Sequence, residues 1–387
     1  MILKGQYTNA VIFSETAESS ALDQVRDIIN QPFSKDAKVC IMPDVHAGAG
    51  ICIGYTATLN EYVVPNFIGV DIGCGVTAIP LSKKCDLVFK NLDFFIRSRI
   101  PFGFNINQIF DIEEANEAWN GINFKGELLE KDFKKYCERV EGDYRKLSID
   151  KRRILSSIGS LGGGNHFISI DEDSSGQRYA VVHSGSRNYG KCVAEYHQKK
   201  ASKGSMSDKF GYLSGREKDD YFQDMAVAQI YASLNRRVIL KRLCSFLKTK
   251  FSENDIIESV HNYIDFSDGI IRKGAIPAKE DEKVLIPISM ADGILFCRGK
   301  GNLEWNCSAP HGAGRLMSRS NAKSSLTLSE FKKRMDEAGV WSSCIDRSTL
   351  DESPMAYKSP DEIKSAIGDT VDIIDHWKEI YNFKASE

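Results

Sequence analysis

No run of about 18 consecutive apolar residues occurs in the sequence, the length a membrane-spanning helix needs. The opening residues MILKGQYTNA also lack an apolar stretch flanked by basic residues, so no signal peptide is read and the cytoplasm is the expected location. Charge of one sign is missing too: 51 Lys and Arg stand against 53 Asp and Glu, a net charge of −2. That balance excludes a globally basic nucleic-acid binder, and any nucleic-acid contact has to come from a local basic cleft. The ten cysteines contain no C-x-x-C pair and are scattered through 387 residues. This excludes a disulfide framework and leaves most of them as free thiols filling core positions. An H-E-x-x-H helix and Cys₂His₂ spacing are both absent, which excludes a zincin and a structural finger. So are a GxxxxGK[ST] loop and a GxGxxG opening a helix, which excludes the two common nucleotide-binding signatures. With no internal repeat and no low-complexity linker, residues 1–387 read as one large domain.

What the sequence does contain is a mixture of strand-like and helix-like segments. From about Val11 to Pro80, short apolar runs alternate with glycine-rich turns and read as strands with functional loops. Residues 112–155 are charged and helix-favouring, with no glycine between Gly126 and Gly142. HFISI (166–170) and YAVVH (179–183) flank a polar turn and predict a hairpin. After a loop rich in Lys, Ser and Gly (199–217), Tyr221, Met225, Ala228 and Ala232 recur at helical spacing and predict a helix to about Leu247. VHNYIDF, VLIPISM and ILFCRG read as strands, and Ile363, Ile367, Ile374 and Trp377 predict a last amphipathic helix. Strands and helices do not alternate regularly, so the expected class is α+β, mixed β-sheets flanked by helices, rather than a βαβ nucleotide fold.

Chemistry concentrates at histidine. Of seven, five sit in glycine-rich or polar loops: His46 in PDVHAGAG, His166 in GGGNHF, His183 in VVHSGSR, His261 in VHNY and His311 in PHGAGR. His197 and His376 lie in charged, helical-looking contexts and read as ordinary surface residues. Singly, each of the five would be a core or surface histidine with one hydrogen bond. Together they point to one shared site, because glycine lets backbone approach a ligand and loops at strand ends are where sites assemble. Asp71 and Cys74 stand three apart in VDIGCG, read as the end of an apolar strand, where a tight glycine turn can aim both at one cation. Alone, Cys74 would be a small buried hydrophobe. Beside these histidines it completes a thiolate, imidazole and carboxylate set that suits zinc, iron or manganese.

Phosphate handling is the second theme. GSLGGGNHF, HSGSRNYG and HGAGRLMSR combine glycines with Asn, Ser or Arg, and free backbone N–H groups and guanidinium forks fit phosphate oxygens. Arg187, Arg315 and Arg319 lie in or beside these loops. His311 shares its loop with two of them, and a neutral imidazole is a competent phosphorus nucleophile when positive charge stabilises the phosphoryl group. Spacing alone leaves His311 either that nucleophile or a further metal ligand.

Ten segments in order resemble the RtcB family of RNA-splicing ligases: MPDVHAGAGICIG (42–54), GVDIGCG (69–75), GSLGGGNHF (159–167), HSGSR (183–187), NRRVI (235–239), VHNYI (260–264), RKGAI (272–276), HGAGRLMSR (311–319), DESPMAYK (351–358) and NFK (382–384). The resemblance implies an RtcB-type fold. It also implies an enzyme that joins an RNA 3′-phosphate or 2′,3′-cyclic phosphate to a 5′-hydroxyl with GTP and Mn²⁺, in tRNA splicing or RNA repair. It assigns Asp71, Cys74, His166, His183 and His261 as ligands of two Mn²⁺ ions, with the cysteine bridging, and His311 as the residue that takes GMP. Asn165, Arg187, Arg315 and Arg319 match phosphate-contacting positions. Lys384 matches a lysine near the nucleotide, and Tyr357 is placed near the base. Ser289, Ala313 and Gly314 complete the expected nucleotide- and phosphate-binding set. Partners on this reading are RNA with those ends, GTP and, as a candidate, an accessory activating protein, with a monomer as the expected state. Two departures stand out. Ser169 occupies a position where the family commonly carries a guanine-reading glutamate, and Ile294 a place where a small polar residue is more usual. Both predict weakened GTP-over-ATP discrimination.

Two other function classes compete. A metal-dependent RNA phosphodiesterase or phosphatase would use the same ligands without a nucleotide adduct, but it has no need of the HGAGR histidine. A catalytically weak RNA-binding paralogue is disfavoured by the complete ligand set.

Overall fold

The computed structural model describes residues 1–119, 132–205 and 208–385. Two sheets carry most of the strands. The first runs in the order β1 (Ile2–Lys4), β2 (Asn9–Ile12), β3 (Val39–His46), β4 (Ile53–Thr58), β10 (Ile270–Lys273) and β9 (Asn262–Asp265). The second runs β12 (Lys283–Ser289), β13 (Gly293–Gly299), β16 (Val371–Lys384), β6 (Phe167–Glu172), β7 (Arg178–Ser184), β5 (Gly75–Pro80) and β8 (Ile257–Val260), with β15 (Trp341–Ser342) paired beside β16. A short ribbon joins β11 (Ala275–Pro277) to β14 (Ser308–Pro310). Neighbours pair antiparallel except β2 with β3 and β15 with β16. The α+β expectation and the β6–β7 hairpin both hold, the latter with Phe167 opposite His183. β8 and β9 belong to different sheets and are separated only by His261, so VHNYIDF is where the chain crosses from one sheet to the other.

Among the helices are α1 (Ser19–Ile29), α2 (Phe89–Arg99), α3 (Ile112–Trp119), α4 (Phe133–Gly142), α5 (Lys151–Ser156), α6 (Arg187–Ala201), α7 (Gly215–Phe246), α8 (Arg319–Ser325), α9 (Leu328–Ala338) and α10 (Pro360–Ala366). The long α7 begins ahead of the predicted Tyr221 and ends where expected. Its C-terminal half buries Leu234, Val238, Ile239, Leu240 and Leu243 together with Asn235, Arg236 and Arg237, so it is enclosed nearly all round. A helix in that position is a core element rather than a surface one. The charged stretch 112–155 yields α3, α4 and α5; Asp132 and Asp150 cap the last two by accepting from Lys135 N and Arg152 N. Its residues 120–131, Gly126 included, lie outside the described residues.

Four expectations are corrected. The segment Val11–Pro80 is not all strand and loop: Ala21, Val25, Ile28 and Ile29 recur at helical spacing and bury one face of α1. Asp71 and Cys74 do not end a strand but precede one, in a turn closed by Cys74 N donating to Asp71 O at 3.2 Å just before β5. The last amphipathic helix is only α10, which holds Ile363. Gly368 follows Ile367, and the chain from Val371 is strand β16, inserted between β13 and β6. Both neighbours need its backbone N–H and C=O groups, which a helix there could not supply. His197 is not a surface residue. It is fully buried on α6, with Nε2 2.7 Å from Asp224 Oδ2, because the face of α6 that carries it packs under α7. His376 is exposed as expected, although on a strand. The free-thiol expectation holds for all ten cysteines, seven of them buried.

Candidate active site

The loops that carry Asp71, Cys74, His166, His183 and His261 converge where the two sheets meet. Cys74 Sγ lies 3.5 Å from His166 Nε2 and 3.3 Å from His183 Nε2, and His183 Nε2 lies 3.4 Å from His261 Nε2. His166 Nε2 is 2.9 Å from Asp71 Oδ2. The ligand atoms form two overlapping groups, Asp71–Cys74–His166 and Cys74–His183–His261, with Cys74 common to both. Carbonyl oxygens fix two of the rings: His166 Nδ1–H donates to Leu161 O at 2.8 Å and His183 Nδ1–H to Asn165 O at 3.2 Å. Each of those rings therefore turns its Nε2 inward, toward a carboxylate, a sulfur or another imidazole. Lone pairs facing one another at these distances are relieved by a cation, and donating the outer N–H to a carbonyl is how ligating histidines are usually held.

Electrostatics agree with that geometry. Burial, reinforced by neighbouring imidazoles and cations, pushes His183 and His261 well below the usual histidine range and keeps them neutral. Burial, and then the Asp71 charge, push the Cys74 thiol up, so it holds its proton until a cation displaces it. Burial alone would raise Asp71, but the bond to His166 and the charges of His166 and Arg187 outweigh it and hold the carboxyl well below its usual range. The turn that seats Asp71 needs a glycine opposite: a Cβ on Gly185 would lie 2.2 Å from Asp71 Oδ1.

His311 stands at the edge of this cluster, its ring centroid 4.9 Å from that of His261, yet it belongs to neither ligand group. Its Nδ1 lies 2.7 Å from Asp44 Oδ2, which also accepts from His311 N at 3.2 Å. Asp44 is fully buried, at the start of the PDVH segment of β3. With Nδ1–H committed to that carboxylate, Nε2 carries the free lone pair. That arrangement serves a nucleophile and a ligand alike, and what sets His311 apart from the ligand set is its place outside both groups. Gly314 allows the fit: its φ is +74°, and a Cβ there would lie 2.2 Å from Asp44 O.

A cleft of about 1040 Å³ opens in front of His311 and is lined by Asp71, Cys74, His183 and His261 from the ligand set. Asn165, Ser289, Ala313, Gly314, Arg315, Arg319, Tyr357 and Lys384, all expected at a nucleotide, line the same cleft. Arg187 and His166 do not. They face a second cavity of about 520 Å³, and Asp71, Asn165 and Arg319 border both spaces. His46 also lines the main cleft, its Nδ1 2.9 Å from Asp44 O, and joins neither ligand group. Ser169 and Ile294 are buried in the sheet, at 0% and 1% exposure, and do not reach the cleft.

Two carboxylates that hold these groups in place do not stand out in the sequence. Asp44 is one. The other is Glu352, which gathers the cations: its carboxylate lies 2.8 Å from Lys384 Nζ, accepts from Tyr357 OH at 2.8 Å, and pairs with Arg315 and Arg319. Burial alone would raise Glu352, but Lys384, Arg319 and Arg315 outweigh it and hold the carboxyl down at about 2. Lys384 Nζ also donates to Asn165 O at 3.0 Å, which links this network to the loop that holds His183. The only sequence signal for either residue was its place in a quoted segment, MPDVHAGAGICIG or DESPMAYK.

Known proteins resemble the chain along nearly its whole length. The model of the family described as tRNA-splicing ligase RtcB matches residues 24–385. The chain is similar to the RNA-splicing ligase RtcB of Escherichia coli strain K12, at 31% identity covering 92% of each chain. It is similar to the tRNA-splicing ligase RtcB of Archaeoglobus fulgidus, at 28% identity over 90% of this chain and 87% of that one. A third relative is the tRNA-splicing ligase RtcB of Nanoarchaeum equitans, at 26% identity over 92% of this chain and 89% of that one.

Proposed function

Because the chain belongs to the RtcB family of tRNA-splicing ligases, we propose that it is an RNA ligase that joins 3′-phosphate or 2′,3′-cyclic phosphate ends to 5′-hydroxyl ends with GTP and Mn²⁺. We also read residues 1–387 as one ligase domain, since the candidate site draws on segments from Asp44 to Lys384. The observation that carries the mechanism is His311, tied to buried Asp44 through Nδ1 and bordering the metal-ligand cluster in a cleft lined by cations.

The donor set fits the metal. Asp71, Cys74 and His166 would hold one ion and Cys74, His183 and His261 the other, with the cysteine shared. Bound there, Mn²⁺ supplies Lewis-acid charge for phosphate oxygens and lowers the pKa of water that opens a cyclic phosphate. His311 Nε2 forms a bond to the α-phosphorus of GTP as the bond to the bridging oxygen breaks and pyrophosphate leaves with the electron pair. The ring becomes positive in that step, and the Asp44 carboxylate at Nδ1–H stabilises it. An oxygen of the RNA 3′-phosphate next takes GMP from His311, which restores the neutral ring. The 5′-hydroxyl then attacks that phosphate and displaces GMP. Arg315, Arg319 and Lys384 place positive charge along the cleft wall, and Glu352 keeps all three oriented.

Incubation of the purified chain with Mn²⁺ and α-labelled GTP tests this reading. The wild type should carry label through a denaturing gel. His311→Ala should bind manganese normally and carry none. A wild type without label that still opens 2′,3′-cyclic phosphates would replace the ligase by a metal-dependent phosphodiesterase.

A further inference from the structure

Ser169 hydrogen-bonds away from the cleft, its hydroxyl donating to Asp171 Oδ2 at 2.6 Å. The adjacent strand supplies what lines the cleft beside it. In the register of β16 with β6, Asn382 stands opposite Ser169 and Glu379 opposite Asp171. A bulge between Glu379 and Tyr381 absorbs the odd spacing, so all four side chains share one face of the sheet. The same face carries Phe167, Val181, Ile294 and Trp377 in one apolar cluster, with Lys384 and His183 beyond it, each opposite Phe167.

Hydrogen bonds within the group, Ser169 to Asp171 and Asn382 to Glu379, satisfy only part of it. Asp171 Oδ1, Glu379 Oε1 and Asn382 Oδ1 have no hydrogen-bond partner, three of the nine such buried side-chain atoms among the described residues. Glu379 is 3% exposed and Asn382 1%, and both line the cleft that holds His311. Buried acceptors without donors are costly, and a concentration of them in a binding cleft calls for a ligand that brings donors.

We propose that Glu379 and Asn382 read the base of the nucleotide that charges His311, accepting hydrogen bonds from N1–H and the N2 amine of guanine. The inference rests on the nucleotidyl-histidine reading above and adds to it the residues that select the base. Guanine presents two adjacent donors on its Watson–Crick edge, whereas adenine presents one donor beside an acceptor. Paired acceptor oxygens satisfy the first edge and leave the adenine N1 lone pair against an oxygen. Burial pushes both Asp171 and Glu379 up in the open cleft, and the two donors of a bound guanine edge favour the carboxylate form of Glu379, which offers both oxygens as acceptors. The weak discrimination expected from Ser169 gives way to selectivity carried by the neighbouring strand.

The test uses the full chain with Mn²⁺ and α-labelled GTP, ATP or inosine triphosphate, which lacks the N2 amine, and reads initial rates of label on His311. The wild type should use GTP at least roughly tenfold faster than either competitor. Glu379→Gln puts an amide donor beside an acceptor and should cut the GTP-to-ATP ratio by roughly tenfold or more. Asn382→Ala should lower the GTP-to-inosine-triphosphate ratio, and thermal melting checks that both variants fold. Equal wild-type rates with GTP and ATP would overturn the proposal, as would an unchanged ratio in both folded variants. Absence of label with every nucleotide would overturn the nucleotidyl-histidine reading instead. Equilibrium binding of GTP against ATP to the same proteins then decides the base-reading proposal, and a preference independent of Glu379 sinks it.

Discussion

Cys74 is the residue on which the two ligand groups depend, since its sulfur lies within reach of His166 on one side and His183 on the other. On the two-metal reading, removing it would take a donor from both ions, and removing His166 would take one from a single ion. We expect Cys74→Ala to lose most of its manganese and all ligation, and His166→Ala to keep roughly half of its metal because Cys74, His183 and His261 remain. Metal analysis of the two proteins after gel filtration checks this, and equal losses would mean the groups do not fill independently. The five residues gathered here were legible beforehand: thiol and imidazole are scarce and sit in glycine-flanked loops, and Asp71 is marked by its place three residues before Cys74. Asp44 and Glu352 were not. With 53 acidic residues in the chain, a carboxylate stands out only through what it touches, and Asp44 touches His311 from 267 positions away.

At the level of elements, β16 shows how local spacing can mislead. Ile363 and Ile367 do recur at helical spacing and are both buried, but Ile373 and Ile374 beyond the break at Gly368 are exposed while Trp377 is not. Trp377 stacks on Tyr179 with centroids 3.9 Å apart and lies opposite Ile294 in β13. Trp377→Ala should therefore cost about 3–5 kcal/mol in urea unfolding. A loss below about 0.5 kcal/mol, typical of a surface position, would return this segment to the helix its periodicity suggests. The β6–β7 hairpin was legible from two apolar runs about a polar turn, and α7 from the helical spacing of Tyr221, Met225, Ala228 and Ala232. α1 was missed inside a stretch dominated by strands, and its four buried residues are as regular as those of any helix here.

Across the whole molecule, Glu352 ties the end of the chain to its middle, joining Lys384 to Arg315, Arg319 and Tyr357. Its carboxyl is held at about 2 in the folded protein against an ordinary 4.5. A depressed folded value means the stabilisation is fully present above pH 4.5 and is lost as pH falls toward 2, on the order of 3 kcal/mol in all. Glu352→Gln should lower the melting temperature at pH 7, and the gap from wild type should narrow as pH falls through that window. A gap independent of pH would show that the cations do not depress Glu352. At this scale, the sequence by itself determined the residue types gathered at the candidate site, the family and the α+β class. Each of these is encoded in residue identity and short-range spacing. Only the tertiary structure decided which carboxylate holds His311, where the cations meet, and that the last long segment is a strand lining the cleft. Those outcomes depend on sheet register between distant strands, which is set by burying many strands at once and leaves no local signature.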